Sequence, residues 1–190
     1  VQVLKGKAPR LDMDYRLRTQ SGDWLWCHAS GEVLERDAAG KALRLVGTQS
    51  DISARKAAEE ALRLSEERFR GAFDQASVGI TVVSQDNRFL QANDKYCDII
   101  GYPREELLTM GVEDINLPAD AQAWKEHRRT LLAREVDVSY REKQLLRKDG
   151  SLVWVSIATS LVRGNDGSPL HYISIVQDVS ETKQALAALH

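Results

Sequence analysis

The residues whose spacing repeats are an aspartate and, two positions later, a serine. Asp51-Ile52-Ser53 stands before ARKAAEEAL, and Asp178-Val179-Ser180 before ETKQALAAL. Both following runs are helix formers, so Ser53 and Ser180 stand where an N-cap hydroxyl accepts from helical N–H groups. Such a cap is worth roughly 1 kcal/mol, and each aspartate lies near the positive helix end. Residues suited to covalent or metal chemistry are sparse. Cys27 and Cys97 are the two cysteines and form no CxxC pair, while His28, His127, His171 and His190 show no ligand spacing, so no metal site is expected. No P-loop, GxSxG, HExxH or supported Ser/His/Asp order occurs. Glu32-Val33-Leu34 lacks surrounding metal-site acids, and Lys125-Glu126-His127-Arg128 lacks the setting of a phosphorylated histidine. Neither a catalytic residue nor an enzyme activity is expected.

The elements that must position the Asp-x-Ser pairs come in two copies. Laying Trp26 on Trp154 gives an offset of 128 residues that also pairs Leu4 with Leu132, Asp14 with Glu142 and Leu17 with Leu145; one residue drops out before Gly40 and Gly167. Each copy reads as three strands, at 12–20, 24–36 and 42–50 and again at 137–148, 151–163 and 169–178. Ser21-Gly22, Ala39-Gly40, Asp149-Gly150 and Asp166-Gly167 mark the turns. Alternation in the middle strand of the second copy leaves both faces partly apolar, which predicts a sheet covered on both sides. Between the copies lie a strand pair around Gln85-Asp86-Asn87, a short helix capped by Asn93 or Asp94, a turn of helix after Pro103 and a longer helix over 118–133. The first copy lacks a counterpart to these, and half a domain is expected there.

With 190 residues, 43% hydrophobic and 28% charged, the chain has the composition of an ordinary folded protein. A net charge of -2 with interspersed signs gives no field for nucleic acid or an anionic membrane, so neither partner is expected. No apolar run is long enough to span a bilayer, and two unpaired cysteines fit a reducing cytoplasm, with any membrane anchor outside this stretch.

The order of these elements resembles the PAS domain with its PAC motif. The likeness runs over residues 66–183 through SEERFRGAFDQASVGI, NRFLQANDKYCDIIGYPREELL, LLRKDGSLVWVS and YISIVQDVSETK, and residues 1–56 match the PAC half alone. The resemblance implies an α+β fold, a five-stranded antiparallel sheet with short helices on one face, preceded by an incomplete PAS half and a linker helix. The expected organisation is 1–53 as that PAC half, 54–73 as linker helix, 66–180 as a complete second domain and 181–190 as the start of an outgoing helix. It further implies a noncatalytic sensory or regulatory module of a bacterial signalling protein, relaying to a histidine kinase or cyclic-di-GMP output domain in cis. The other reading is a structural dimerisation module with a filled core.

Site residues follow from the resemblance and from periodicity together. Asp178 is expected to pair with Arg147 or Lys148, and Asp51 with Arg18, coupling the last strand to the outgoing helix; the same acids read otherwise as solvated charges worth about 0 to 1 kcal/mol. Ala58, Leu62, Ser65, Phe69 and Ala72 form a narrow stripe at spacings of three and four, with Glu59 and Arg63 beside it, suited to a homodimer through the linker helix; the exposed half-sheet is the alternative surface. Tyr96, Ile99, Trp124, Val155, Ile157 and Tyr172 are expected around an internal pocket, with His127 at its rim. No cofactor is expected. Haem would use a histidine on the long helix, from which His127 is displaced; the flavin-adduct cysteine is missing from Asn87-Arg88-Phe89-Leu90-Gln91, Cys97 reads as a core residue, and FAD lacks its usual aromatic near VDVSYRE.

Overall fold

The computed structural model describes residues 10–188. The expected origin of the first copy at Val1, the Leu4 correspondence and the end of the outgoing helix at 189–190 lie outside the described residues. The chain divides into two compact units, residues 1–68 and 69–190.

Unit 1 carries β1 (Arg10–Arg18), β2 (Trp24–Arg36) and β3 (Ala42–Asp51), an antiparallel sheet in the order β1-β2-β3. The first strand starts and ends two residues earlier than its hydrophobic pattern predicts, because its pairing with β2 runs from Arg10↔Glu32 to Arg18↔Trp24. Gly31 faces Gly47 across the β2–β3 ladder. A Cβ on either would fall 2.7 or 2.4 Å from a backbone oxygen of the partner strand, so no side chain fits between them.

From β3 the chain enters α1 (Ser53–Asp74), then β4 (Gly79–Ser84) and β5 (Phe89–Ala92). Short helices follow, α2 (Asp94–Ile100) and α3 (Arg104–Leu107), and a longer one, α4 (Ala121–Leu132). The turn opened by Pro118 is 3-10 rather than α through Asp120, so the long helix starts three residues later than expected. β6 (Val138–Leu146), β7 (Leu152–Arg163) and β8 (Pro169–Asp178) complete a five-stranded sheet of order β5-β4-β8-β7-β6, and α5 (Ser180–Ala187) leaves it.

Each turn has a local cause. Asn87 takes φ 64° at the β4–β5 turn, a conformation asparagine tolerates, and Gly101 ends α2 at φ 75°. Asn93 caps α2 and does more: fully buried, its Oδ1 accepts from Ile80 N at 2.8 Å and Tyr96 N at 2.9 Å, and its Nδ2 donates to Phe73 O and Val78 O. One amide thus holds the end of α1, the first strand of the sheet and the first turn of α2.

Val153, Val155, Ile157 and Thr159 on β7 alternate into a core shared with Tyr96, Ile100, Leu107 and Tyr172. The expectation of two covered faces holds for one: Leu152, Tyr140 and Ile175 on the opposite face are exposed. All three helices between β5 and β6 pack on the same side, which leaves those apolar side chains to the surface.

Candidate functional site

Two places in the molecule combine named side chains with a specific geometry, the joint at each Asp-x-Ser and the interior of unit 2. At the first joint, Asp51 Oδ1 accepts from Ser53 N at 2.8 Å, while Trp26 N donates to Ser53 Oγ at 2.9 Å and Ile52 N to Trp26 O at 2.9 Å. The second repeats this atom for atom. Asp178 Oδ1 accepts from Ser180 N at 2.8 Å, Trp154 N donates to Ser180 Oγ at 3.2 Å, and Val179 N to Trp154 O at 2.9 Å. The serines therefore do not cap their helices as expected. Each hydroxyl faces back to the neighbouring strand and satisfies a tryptophan N–H that the ladder leaves over, and the residue at the N-cap of α5, Val179, offers no side-chain acceptor.

A lysine completes each joint. Lys56 Nζ stands 5.5 Å from the Trp26 ring centroid and 3.1 Å from Asp14 Oδ2; Lys183 Nζ stands 5.2 Å from the Trp154 centroid and 2.5 Å from Glu142 Oε2. The first helical turn is thus tied to the outer strand by charge and to the middle strand by a cation over an aromatic face. The signal was in the sequence, a lysine five residues after each aspartate, but a lysine on a polar helix face reads as solvated.

The expected acid–base pairs divide. Arg147 Nη2 reaches Asp178 Oδ2 at 3.2 Å, whereas Lys148 turns to Glu106 and to the face of Tyr102. Arg18 does not reach Asp51; its Nε donates to Gly22 O within its own hairpin, and among the described residues Asp51 is held by Ser53, which keeps its carboxyl below the usual range. On α1 the stripe Ala58, Leu62, Ser65, Phe69 and Ala72 is exposed along its length, Phe73 beside it is buried, and Phe69 stacks on Phe73 at 5.5 Å. Glu59 and Arg63 beside the stripe take other partners, with Arg55 and Lys56 on Glu59 and Arg63 bridging Glu60 and Glu67.

In unit 2 a cavity of about 40 Å³ lies between the sheet and the helices. Of the expected lining residues, Tyr96, Trp124 and Ile157 border it, while Ile99, Val155 and Tyr172 are buried in the packed core around it. Its polar lining comes from residues that sequence pattern did not single out: Arg141, Lys143, Asn116, Thr81, Thr159 and Ser174. His127 is not at a rim. It is 5% exposed against the Trp124 ring, neither ring nitrogen has a hydrogen-bond partner, and burial with the charges of Arg141 and Lys143 pushes its pKa down to about 4. Burial, then Arg141, also lowers the Lys143 ammonium to about 8, against the pull of Asp120. Ordinary ligand sites occupy roughly 300 to 1,000 Å³, so the interior as shaped suits nothing of porphyrin or flavin size. Among the described residues no cluster of His, Cys, Asp and Glu is arranged to hold a metal ion, and no helix is long and apolar enough to cross a membrane.

A family model described as a PAS domain matches residues 77–181, and one described as a PAS fold matches residues 1–49. The chain belongs to the PAS family. The chain resembles the PAS domain of a Colwellia psychrerythraea protein, with a TM-score of 0.57 and 19% identity over 62% of this chain and 98% of that one. The PAS domain of an HTR-like protein from Haloarcula marismortui gives 0.56 at 22% identity, covering 65% and 98%. Curated relatives include the probable diguanylate cyclase DgcE of Escherichia coli, 32% identical over 63% of this chain, and the sensor histidine kinase TmoS of Ectopseudomonas mendocina, 28% identical over 68%. The aligned residues span 11% and 13% of the length of those two proteins.

Proposed function

We propose that this PAS tandem is a regulatory relay: unit 2 receives a signal, and the outgoing helix α5 delivers it to an output domain in cis, of the histidine-kinase or diguanylate-cyclase kind found in its relatives. The observation that carries the reading is the repeated joint. Serine, tryptophan, acid and lysine fix the first turn of each outgoing helix to the two strands before it, so a shift of those strands is passed to the helix rather than absorbed by a loose linker. On this reading residues 1–53 are the PAC half of a first PAS domain, 54–73 its outgoing helix and 66–180 the second domain, and the family match at residues 1–49 supports it. The exposed α1 stripe supports a parallel homodimer, in which Leu62 and Phe69 meet their copies.

The test is a fusion of the chain, through α5, to a dimeric histidine-kinase catalytic core, with one to seven residues inserted after α5. Autophosphorylation should rise and fall with the helical period of the insertion, and Lys183→Ala should flatten that pattern. Output that ignores both insertion and Lys183 would reject the relay. Light scattering checks the dimer, which Leu62→Lys should dissociate.

A further inference from the structure

The cavity of unit 2 is lined by more positive charge than the protein neutralises. Lys143 is 9% exposed; its Nζ donates to Asn116 Oδ1, and Asn116 in turn is anchored through Nδ2 to Val112 O at 2.7 Å. An ammonium has three donors, so two remain for whatever fills the space beside it. Arg141, two residues along β6, borders the same cavity with its guanidinium 5.4 Å from the Trp124 centroid, and its buried Nε has no partner. On the same sheet Thr159 Oγ1 and Ser174 Oγ sit 2.9 Å apart across the β7–β8 ladder, Thr81 pairs with Ser174 from β4, and all three border the cavity. Among the described residues no carboxylate borders the cavity. The acid whose field reaches Arg141 and Lys143 is Asp120, which lines the neighbouring surface cleft and leaves a buried Oδ2 unpartnered. Two cations against the one carboxylate of Asp120 leave a net positive interior, and a buried charge without a partner is among the costliest features a fold can retain.

We propose that this cavity binds a small monovalent oxyanion, of the size of formate, acetate or nitrate, on Lys143 and Arg141 with the Thr159 and Ser174 hydroxyls as further donors. The volume of about 40 Å³ admits a few non-hydrogen atoms, enough for such an ion and too little for a larger acid. Burial and Arg141 lower the ammonium's pKa to about 8, so an anion beside it would favour the charged form. Access has a place in the fold as well. Trp124 and Asn116 border both this cavity and the cleft of about 620 Å³ outside α4, so the indole forms the partition between them. Trp124 Nε1 and Arg128 Nη1 both donate to Asn87 Oδ1, at 3.3 and 2.8 Å, which latches α4 to the β4–β5 turn. The first strand triplet provides an internal control. At the positions equivalent to Arg141, Lys143, Thr159 and Ser174 it carries Met13, Tyr15, Gly31 and Gly47, in the same register, so both cations and both aliphatic hydroxyls are absent there together.

The inference rests on reading unit 2 as the receiving unit and names what it receives. The experiment uses the whole chain, dialysed into sodium chloride and titrated calorimetrically with sodium formate, acetate and nitrate at constant ionic strength. Wild type and the surface control Lys95→Met should bind at least one of the three saturably, and Lys143→Met and Arg141→Gln should bind it about tenfold or more weakly. Binding by formate and acetate alone assigns a carboxylate; binding by nitrate alone assigns an inorganic oxyanion. The NMR amide signals of Thr159 and Ser174 should move with the same titration while those of Gly31 and Gly47 stay, a readout that needs no variant to fold. No saturable binding of any of the three, or equal affinity in Lys143→Met, overturns the proposal. The insertion series after α5 is scored without ligand, so a chain that relays but binds no oxyanion loses only this site, and one that binds but does not relay loses only the relay.

Discussion

The two strand triplets keep the same joint on sheets that differ in what lines them. Trp26 and Trp154, Asp14 and Glu142, Lys56 and Lys183, and the two Asp-x-Ser pairs occupy equivalent places and make equivalent contacts. The sheet positions that meet the helices in unit 2 have diverged. Lys143 and Arg141 answer to Tyr15 and Met13, and the hydrogen-bonded Thr159 and Ser174 answer to Gly31 and Gly47, which have no side chain at all. Retention at one end of each sheet with divergence at its middle separates two tasks. The attachment of the outgoing helix depends on backbone atoms and a few polar partners that any such sheet can supply, whereas the interior is where specificity is written.

The largest way to break the comparison is to unfold one unit and not the other. The buried Asn93 side chain makes four hydrogen bonds that unit 1 has no counterpart for among the described residues. Asn93→Ala leaves Ile80 N, Tyr96 N and two carbonyls without their partner and should cost about 3 kcal/mol or more. Hydrogen exchange resolves the expected outcome, in which β7 amides lose protection while β2 amides keep theirs; equal loss in both would mean that the units do not fold independently.

A second, smaller separation comes from pH. His127 has its pKa pushed from 6.5 to about 4 by burial and by Arg141 and Lys143, so the unfolded chain binds the proton more readily than the folded one. Stability from this group is present above pH 6.5 and is lost as pH falls toward 4, by about 2 to 3 kcal/mol over that window. His127→Leu should remove this slope, measured as the difference between wild-type and variant urea midpoints from pH 7 to pH 4. Parallel midpoints for the two proteins would mean the ring reaches a partner in solution.

How much of this was legible follows from which interactions repeat or alternate. The three-strand copies and the helix after each Asp-x-Ser could be read because turns and apolar positions recur at one offset. The interior cations could not. Strand β6 places Arg141, Lys143 and Leu145 inward and the 74% exposed Tyr140 outward, the reverse of the polarity that alternation assumes. Only the packing of α4 over that strand, which the local sequence does not encode, turns the charged side chains into a lining. Helical spacing puts His127 at the edge of the apolar face of Ala121, Trp124 and Leu131, and only the tertiary packing of α4 buries its ring against Trp124. The spacing of the serines suits a cap, whereas their acceptor role depends on a tryptophan N–H 26 or 27 residues away.

That role allows the two joints to be compared directly. Ser53→Ala and Ser180→Ala each remove an acceptor from a tryptophan amide at the strand end and should each cost about 1 kcal/mol. Urea unfolding followed by exchange at Trp26 and Trp154 should show matched losses, each confined to its own unit. A loss at Ser180 several times that at Ser53 would mean that the second joint is reinforced by contacts the first lacks.

One such contact is visible, and it sets the smallest effect. Arg147 pairs with Asp178 at 3.2 Å, whereas Arg18 is occupied by Gly22 O and leaves Asp51 to Ser53. Both partners of the Arg147 pair are about one-third exposed, so solvent screens it and Arg147→Gln should cost about 0.5 kcal/mol or less. Arg18→Gln should cost less still, since the glutamine amide can donate to the same carbonyl. The informative measurement is therefore salt dependence rather than stability alone: the Arg147→Gln difference should vanish at about 1 M salt, where the screening length is about 3 Å, and Arg18→Gln should show none to lose. If both variants respond to salt alike, the acid of the first joint finds its arginine in solution, and the two joints are equivalent in charge as well as in backbone.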